Sequence, residues 1–171
     1  MIWRVGVLAT IVVLMGSRVA PAGAKDGLSD NVTLAQDRMV IEDTQRRYVR
    51  ALDDSDLDAY LVTLTDDAKF VSAESSYAGK EAIRKYVEPV MHSRQRRREA
   101  EGAQATATHH VVTNQSIEFT DRNNAVVRAY WMFVVAHGPN KPMTIDSMGT
   151  SEDHLIRKDG KWLIRERRVA P

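Results

Sequence analysis

The 171-residue chain has no cysteine, which excludes disulfides, thiol catalysis and a lipid-bearing cysteine. Its 24 basic and 23 acidic residues nearly cancel, so no global field draws it to nucleic acid. An ordinary hydrophobic core must therefore hold it, and the length is enough for one domain.

Residues 1–24 read as a cleavable signal peptide. Met1 to Arg4 is a short basic start, Val5 to Gly16 is almost wholly apolar, and Ala22 and Ala24 fit the small-residue rule for signal peptidase. An apolar run of about a dozen residues is short for a membrane span. The expectation is a periplasmic or secreted protein with no membrane association after cleavage; an uncleaved N-terminal anchor is the alternative. Without Arg4 and Arg18, 22 basic residues face 23 acidic ones. Residues 25–31 are polar, contain Gly27 and read as a linker, which leaves 32–171 as one domain.

From Val32 to Leu52 there is no Gly or Pro, and Leu34, Ile41, Tyr48 and Leu52 fall on one face of a predicted helix. Asp53 to Asp56 breaks it. Leu57, Tyr60, Leu61 and Leu64 then mark a short second helix, begun by Ser55 or an adjacent Asp, so the pair forms a hairpin. Thr65–Asp67 reads as a turn and Ala68–Val71 as a short strand. After Gly79, the spacing of Ile83, Tyr86, Val87, Val90 and Met91 predicts a third helix, which Pro89 kinks or ends. The basic run Arg94–Arg98 and the stretch to Gln104 read as a solvated loop rather than an anion patch, because no aromatic residue interleaves with them.

The remainder is strand-like. Residues 106–120 and 125–137 are β-favouring runs joined at Asp121–Asn124, and 143–157 and 161–169 are joined at Lys158–Gly160, where Asp-Gly signals a hairpin. Helices first and a meander afterwards predict an α+β fold rather than βαβ units. Trp131, Phe133 and Val135 alternate on a broad apolar sheet face, read as the outer face of the sheet and as the interface of a homodimer.

Several segments appear in order between Val40 and Val169. They are Ile41-x6-Tyr48-x3-Leu52-Asp53, Asp56-Leu-Asp-Ala-Tyr60, Leu64-Thr-Asp-Asp-Ala-x-Phe70, Gly79-Lys-Glu-Ala-Ile83, Thr108-His-His-x-x-Thr-Asn114 and Asp153-x-Leu-x-Arg-x-Asp-Gly-x-Trp162-x-Ile-x-Glu-Arg-Arg168. Together they resemble the SnoaL-like domain of the NTF2-like superfamily. The resemblance implies a cone-shaped α+β fold, with three N-terminal helices packed on a strongly curved, mostly antiparallel sheet around one small-molecule pocket. At the pocket the chain is similar to the scytalone dehydratase and hexachlorocyclohexane dehydrochlorinase families. In these families an aspartate ending the first helix orients a histidine base on the first long strand. Carried over, those residues are Asp53 and His110, with Tyr48 facing the pocket and Asn114 on the same strand segment.

The chemistry is consistent with those residue types. A histidine titrating near its reference value of ~6.5 takes a proton at neutral pH, and a neighbouring carboxylate fixes its tautomer. The plain alternatives are a turn-capping Asp53 and a His110 bonded to a backbone carbonyl. Tyr48 is either core or a hydroxyl donor to substrate, Asn114 either a sheet-edge group or an oxyanion donor, and Arg168, in line with Trp162 and Ile164, either a pocket residue or a surface ion pair. His109 should point away from His110. No phosphate loop, dinucleotide fingerprint, serine elbow or paired-histidine metal motif occurs, so no cofactor and no metal are expected. The leading expectation is an exported, cofactor-independent lyase or isomerase acting on a small hydrophobic, aromatic or polyketide-like molecule. The alternatives are a non-catalytic carrier with the same pocket and, less consistent with export, a structural oxygenase subunit.

Overall fold

The computed structural model describes residues 22–102, 106–138 and 141–171. The expected signal peptide therefore lies outside the described residues apart from Ala22–Ala24. Among the described residues the order is α1 (Ala22–Asp54), α2 (Leu57–Leu61), β1 (Leu64–Val71), β2 (Ser76–Ala78), α3 (Lys80–Glu101), β3 (Ala107–Asp121), β4 (Asn124–Ala136), β5 (Met143–Lys158) and β6 (Lys161–Ala170). Residues 25–31, read as a linker, are helical within α1. Two compact units divide inside α1, after Ala35, and the unit Gln36–Pro171 carries the sheet, α2, α3 and the site.

The sheet has the order β2-β1-β6-β5-β4-β3. Its pairs are antiparallel except for β1 against β6. It is unclosed, with β2 and β3 at its edges, and extra residues in β3, β5 and β6 shift the register and bend it, as bulges do. This is the expected α+β class with a mostly antiparallel curved sheet. The helix placement differs: only α1 and α2 precede the sheet, while α3 follows β1 and β2. β2, three residues without alternation, has no counterpart in the sequence reading.

Local chemistry accounts for the boundaries. Asp56 caps α2, its carboxylate accepting from Ala59 N at 2.9 Å. Asp159 and Gly160 both have positive φ, +50° and +73°, which closes the β5–β6 hairpin as a primed turn. Thr65–Asp67 belongs to β1 rather than to a turn. Pro89 neither ends α3 nor opens a loop: it lies on an exposed face, where the carbonyl it leaves unbonded can meet water, and the helix runs on to Glu101. Arg94–Arg98 is therefore helical, against the loop reading.

The core is built where α1 and α3 press on the sheet. Ile41, Tyr48 and Ala51 of α1 and Ile83, Val87 and Met91 of α3 are buried against Leu155, Trp162 and Ile164. Thr44 donates its hydroxyl to the Trp162 carbonyl at 3.2 Å, and the Trp162 indole donates to Asp37 at 3.1 Å. Truncating such an aromatic to Ala costs roughly 3–5 kcal/mol. Trp131, Phe133 and Val135 lie on this helix-covered side, opposite Val112, His110 and Thr108, which corrects their assignment to the outer face.

Candidate active site

Asp53 stands in the last turn of α1, next to the buried Ala51 and the partly buried Leu52. Its carboxylate accepts from His110 N at 3.1 and 3.0 Å and lies 2.6 Å from His110 Nδ1. An ionised carboxylate only accepts, so the ring proton sits on Nδ1 and Nε2 is left as the acceptor. Both side chains are largely buried, and Phe133 packs on the imidazole with ring centroids 5.0 Å apart. His109 is mostly exposed, with Nδ1 3.9 Å from the same carboxylate, at the rim of a groove outside the dyad.

His110 lines a cavity of about 230 Å³ bounded by α1, α2, α3 and the covered face of β1, β3, β4 and β6. Its walls are mainly apolar, including Leu52, Phe70, Met91 and Val112, and its polar groups are Tyr48, Tyr60, Tyr86, Arg94, His110, Trp131 and Arg167. A small hydrophobic molecule with a few oxygen functions matches such a lining.

The Tyr48 and Tyr60 hydroxyls are 3.2 Å apart, with ring centroids at 4.9 Å. Burial pushes both phenols above their ordinary value of 10.0, Tyr60 well above it, while Arg167 pulls each down. Both are therefore neutral donors at neutral pH. One proton serves the bond between them, and the other is free for a ligand.

Arg167 is buried beside them, its guanidinium carbon 4.8 Å from the Tyr48 ring centroid and Nη1 2.6 Å from Asp153. Burial opposes its charge, but Asp153, Tyr48 and Tyr60 outweigh that and hold it above its ordinary range. Burial in turn pushes the Asp153 carboxyl up, against the pull of Arg167. Trp131 forms part of the sheet-side wall, its Nε1 donating to the Thr150 carbonyl at 3.0 Å.

Of the residues singled out in the sequence, Asp53, His110 and Tyr48 come together here, while Asn114 and Arg168 do not. They line a separate groove with Arg128 and Glu152. The cause is two breaks in strand alternation. The register shifts between Thr113 and Ser116, where Asn114 has φ +52°, so Asn114 leaves the face of His110 and Val112. A second shift, opposite His154 and Leu155, displaces β6 by one residue after Ile164, so Arg167 turns inward and Arg168 pairs outside with Glu166. Tyr60, Arg94 and Arg167 were not singled out in the sequence. Arg94 carried a signal, since it continues the buried Ile83, Val87, Met91 stripe at helical spacing. Among the described residues no group of three or more His, Cys, Asp or Glu side chains converges as a metal site would require, and no helix is long and apolar enough to cross a membrane.

Among solved structures, the fold is similar to that of an NTF2-like protein with a cystatin-like fold from Novosphingobium aromaticivorans, at TM-score 0.68 and 16% identity over 84% of this chain and 86% of that one. It is also similar to a candidate scytalone dehydratase from the same species, at TM-score 0.63 and 19% identity over 81% and 86% of the two chains. A protein from Catenulispora acidiphila in complex with S-DNPA aligns at TM-score 0.62 and 22% identity over 80% and 93%. Among curated proteins none matches the sequence. The SnoaL-like domain family matches residues 33–168, most of the described chain and all of the cavity's lining but Val169, and the protein belongs to that family.

Proposed function

We propose that this protein is an exported, cofactor-independent lyase or isomerase in which His110 is the general base. The observation that carries the reading is the 2.6 Å contact between Asp53 and His110 Nδ1 beside a mainly apolar cavity. His110 Nε2 takes a proton from carbon next to a substrate carbonyl. The bonding electrons move to the carbonyl oxygen, which accepts from the Tyr48–Tyr60 pair. Asp53 keeps Nε2 free as acceptor and offsets the charge of the imidazolium. The carbanion equivalent then either expels a leaving group or is reprotonated at another carbon. A small aromatic or polyketide-like substrate suits the cavity, and the S-DNPA complex of one relative and the candidate dehydratase among the others are in keeping with it.

The test is a screen of small hydrophobic ketones, phenols and halides for thermal stabilisation, followed by solvent deuterium uptake and turnover on those that bind. Asp53→Asn and His110→Ala should each lower turnover about 10²-fold or more, and the double variant should be little worse than the worse single one. Ligands that bind well but show neither exchange nor turnover would make the protein a carrier. Export rests on the first 24 residues. Mass spectrometry of the secreted or periplasmic protein should find Lys25 at its N-terminus, and a retained Met1 there refutes cleavage.

A homodimer is part of this reading, through the sheet face turned away from the helices. Val111, Met132 and Met148 are cross-strand neighbours in one row of that face, with Tyr130 and Ile145 flanking them. All but Met132 are exposed.

A further inference from the structure

We propose that Arg94 anchors a carboxylate on the substrate, so that the ligand class is a ring-sized apolar acid; this rests on reading the His110 cavity as the substrate site. Arg94 lines both that cavity and an adjoining groove that holds Arg97, Arg98 and Phe133. It therefore stands where a bound molecule passes from apolar wall to open mouth.

Its Nη1 is buried and has no hydrogen-bond partner. Two of the other arginines around these spaces are committed, Arg98 to the Asp53 and Asp54 carbonyls and Arg167 to Asp153. Among the described residues no carboxylate forms an ion pair with Arg94. Asp53 is engaged by His110, and Asp146, across the groove, makes no bond to it. What Arg94 does touch is a ring face, its guanidinium carbon 5.4 Å from the Phe133 centroid. That stacking orients the fork but leaves its N–H groups unmet, and a buried guanidinium N–H without an acceptor is costly. Burial pushes the Arg94 pKa down, the Asp53 charge opposes this, and Arg98 and Arg97 add to the repulsion. A bound anion relieves both the unmet donor and the repulsion.

A planar carboxylate fits this need better than a neutral carbonyl, because a guanidinium donates two parallel bonds to it. The acid would sit at the mouth while the ring system lies between Trp131, Val112 and Met91, with His110 along its edge. The position also fits the division of labour. An anion held at Arg94 fixes the ligand without contacting the Tyr48–Tyr60 pair, which stays available to the reacting oxygen.

Naphthoate and naphthamide share a ring system and differ in charge, and calorimetric titration of each into the full protein tests the assignment. The acid should bind about tenfold more tightly than the amide, and more weakly as chloride is raised. Arg94→Gln should abolish that preference with amide affinity unchanged, and Arg94→Lys should keep part of it, which a loss of folding could not mimic. An intact acid preference in the wild type without turnover on any substrate would leave the subsite standing and remove the catalytic reading. A wild-type protein that binds the two probes alike or binds neither, or a preference that survives Arg94→Gln, overturns the proposal.

Discussion

Arg98 donates from Nη1 to the Asp53 carbonyl at 2.9 Å and from Nη2 to the Asp54 carbonyl at 2.7 Å, so α3 closes the end of α1 at the residue whose carboxylate holds His110. Two helix-terminal carbonyls and the negative end of the α1 dipole are met by one cation. Arg98→Ala should cost about 1–2 kcal/mol in urea unfolding, since hydrogen bonds to a charged group exceed neutral ones but this one is partly wet. Turnover or ligand affinity should fall with it, because Asp53 loses its backbone anchor. A stability change within about 0.5 kcal/mol would mean that water replaces the guanidinium at no loss.

The two phenols make stability depend on alkaline pH. Burial raises the pKa of Tyr48 and Tyr60 above the ordinary 10.0, so above that value the unfolded chain gives up protons that the folded one keeps. Stability is then fully present below about pH 10 and falls as pH rises beyond it. Chemical denaturation at rising pH should show this slope in the wild type. Tyr48→Phe and Tyr60→Phe should each flatten it, and an unchanged slope in both would remove the assignment.

How much of this was legible in the chain depends on whether a pattern stayed in phase. Ile41 and Tyr48 keep helical spacing to the end of α1, in agreement with the place that the family resemblance gave Asp53, and the Asp159–Gly160 hairpin was readable from its dipeptide. The alternation that placed His110 and Val112 on one face fails two residues later at the Asn114 bulge. Counting from Trp162 through Ile164 selected Arg168, where one extra residue in β6 presents Arg167 instead. Arg94 and Arg98 were read as solvated because no aromatic residue interleaves with the basic run. Nothing local announces that their guanidinium groups fold back onto Phe133 and the end of α1. Contacts between residues dozens of positions apart carry that information.

Gly149 gives a test of the cavity wall. A Cβ built there would lie 2.0 Å from the Ala170 carbonyl oxygen and 3.0 Å from Trp131 Cζ2, so β5 has room at this point for the indole and the end of β6 only without a side chain. Gly149→Ala must shift backbone as well as the ring, at a cost of about 1–3 kcal/mol. The shift should break the Trp131 bond to Thr150 and weaken binding of any cavity ligand. Thermal unfolding and ligand titration check both, and unaltered values in each would show that Trp131 is not held by Gly149.

The uncovered sheet face yields the last prediction. Val111, Met132 and Met148 lie side by side across β3, β4 and β5, and Val134 pairs with Ile145 in the next row. Met148 is 64% exposed and Ile145 59%, large apolar side chains on a face that no helix of this unit covers. Two such faces meeting about a twofold axis would bury them against their own copies. Met148→Glu places a carboxylate in that contact once from each copy. Two like charges taken out of water without partners should weaken association about 10²-fold or more. In the separate subunit the same side chain stays in water, so its stability should move by no more than about 0.5 kcal/mol. Light scattering at micromolar concentration should give the dimer mass for the wild type and the monomer mass for Met148→Glu, with matching secondary structure by circular dichroism. A wild type of monomer mass sinks the dimer, and a Met148→Glu protein that remains dimeric moves the interface to another face.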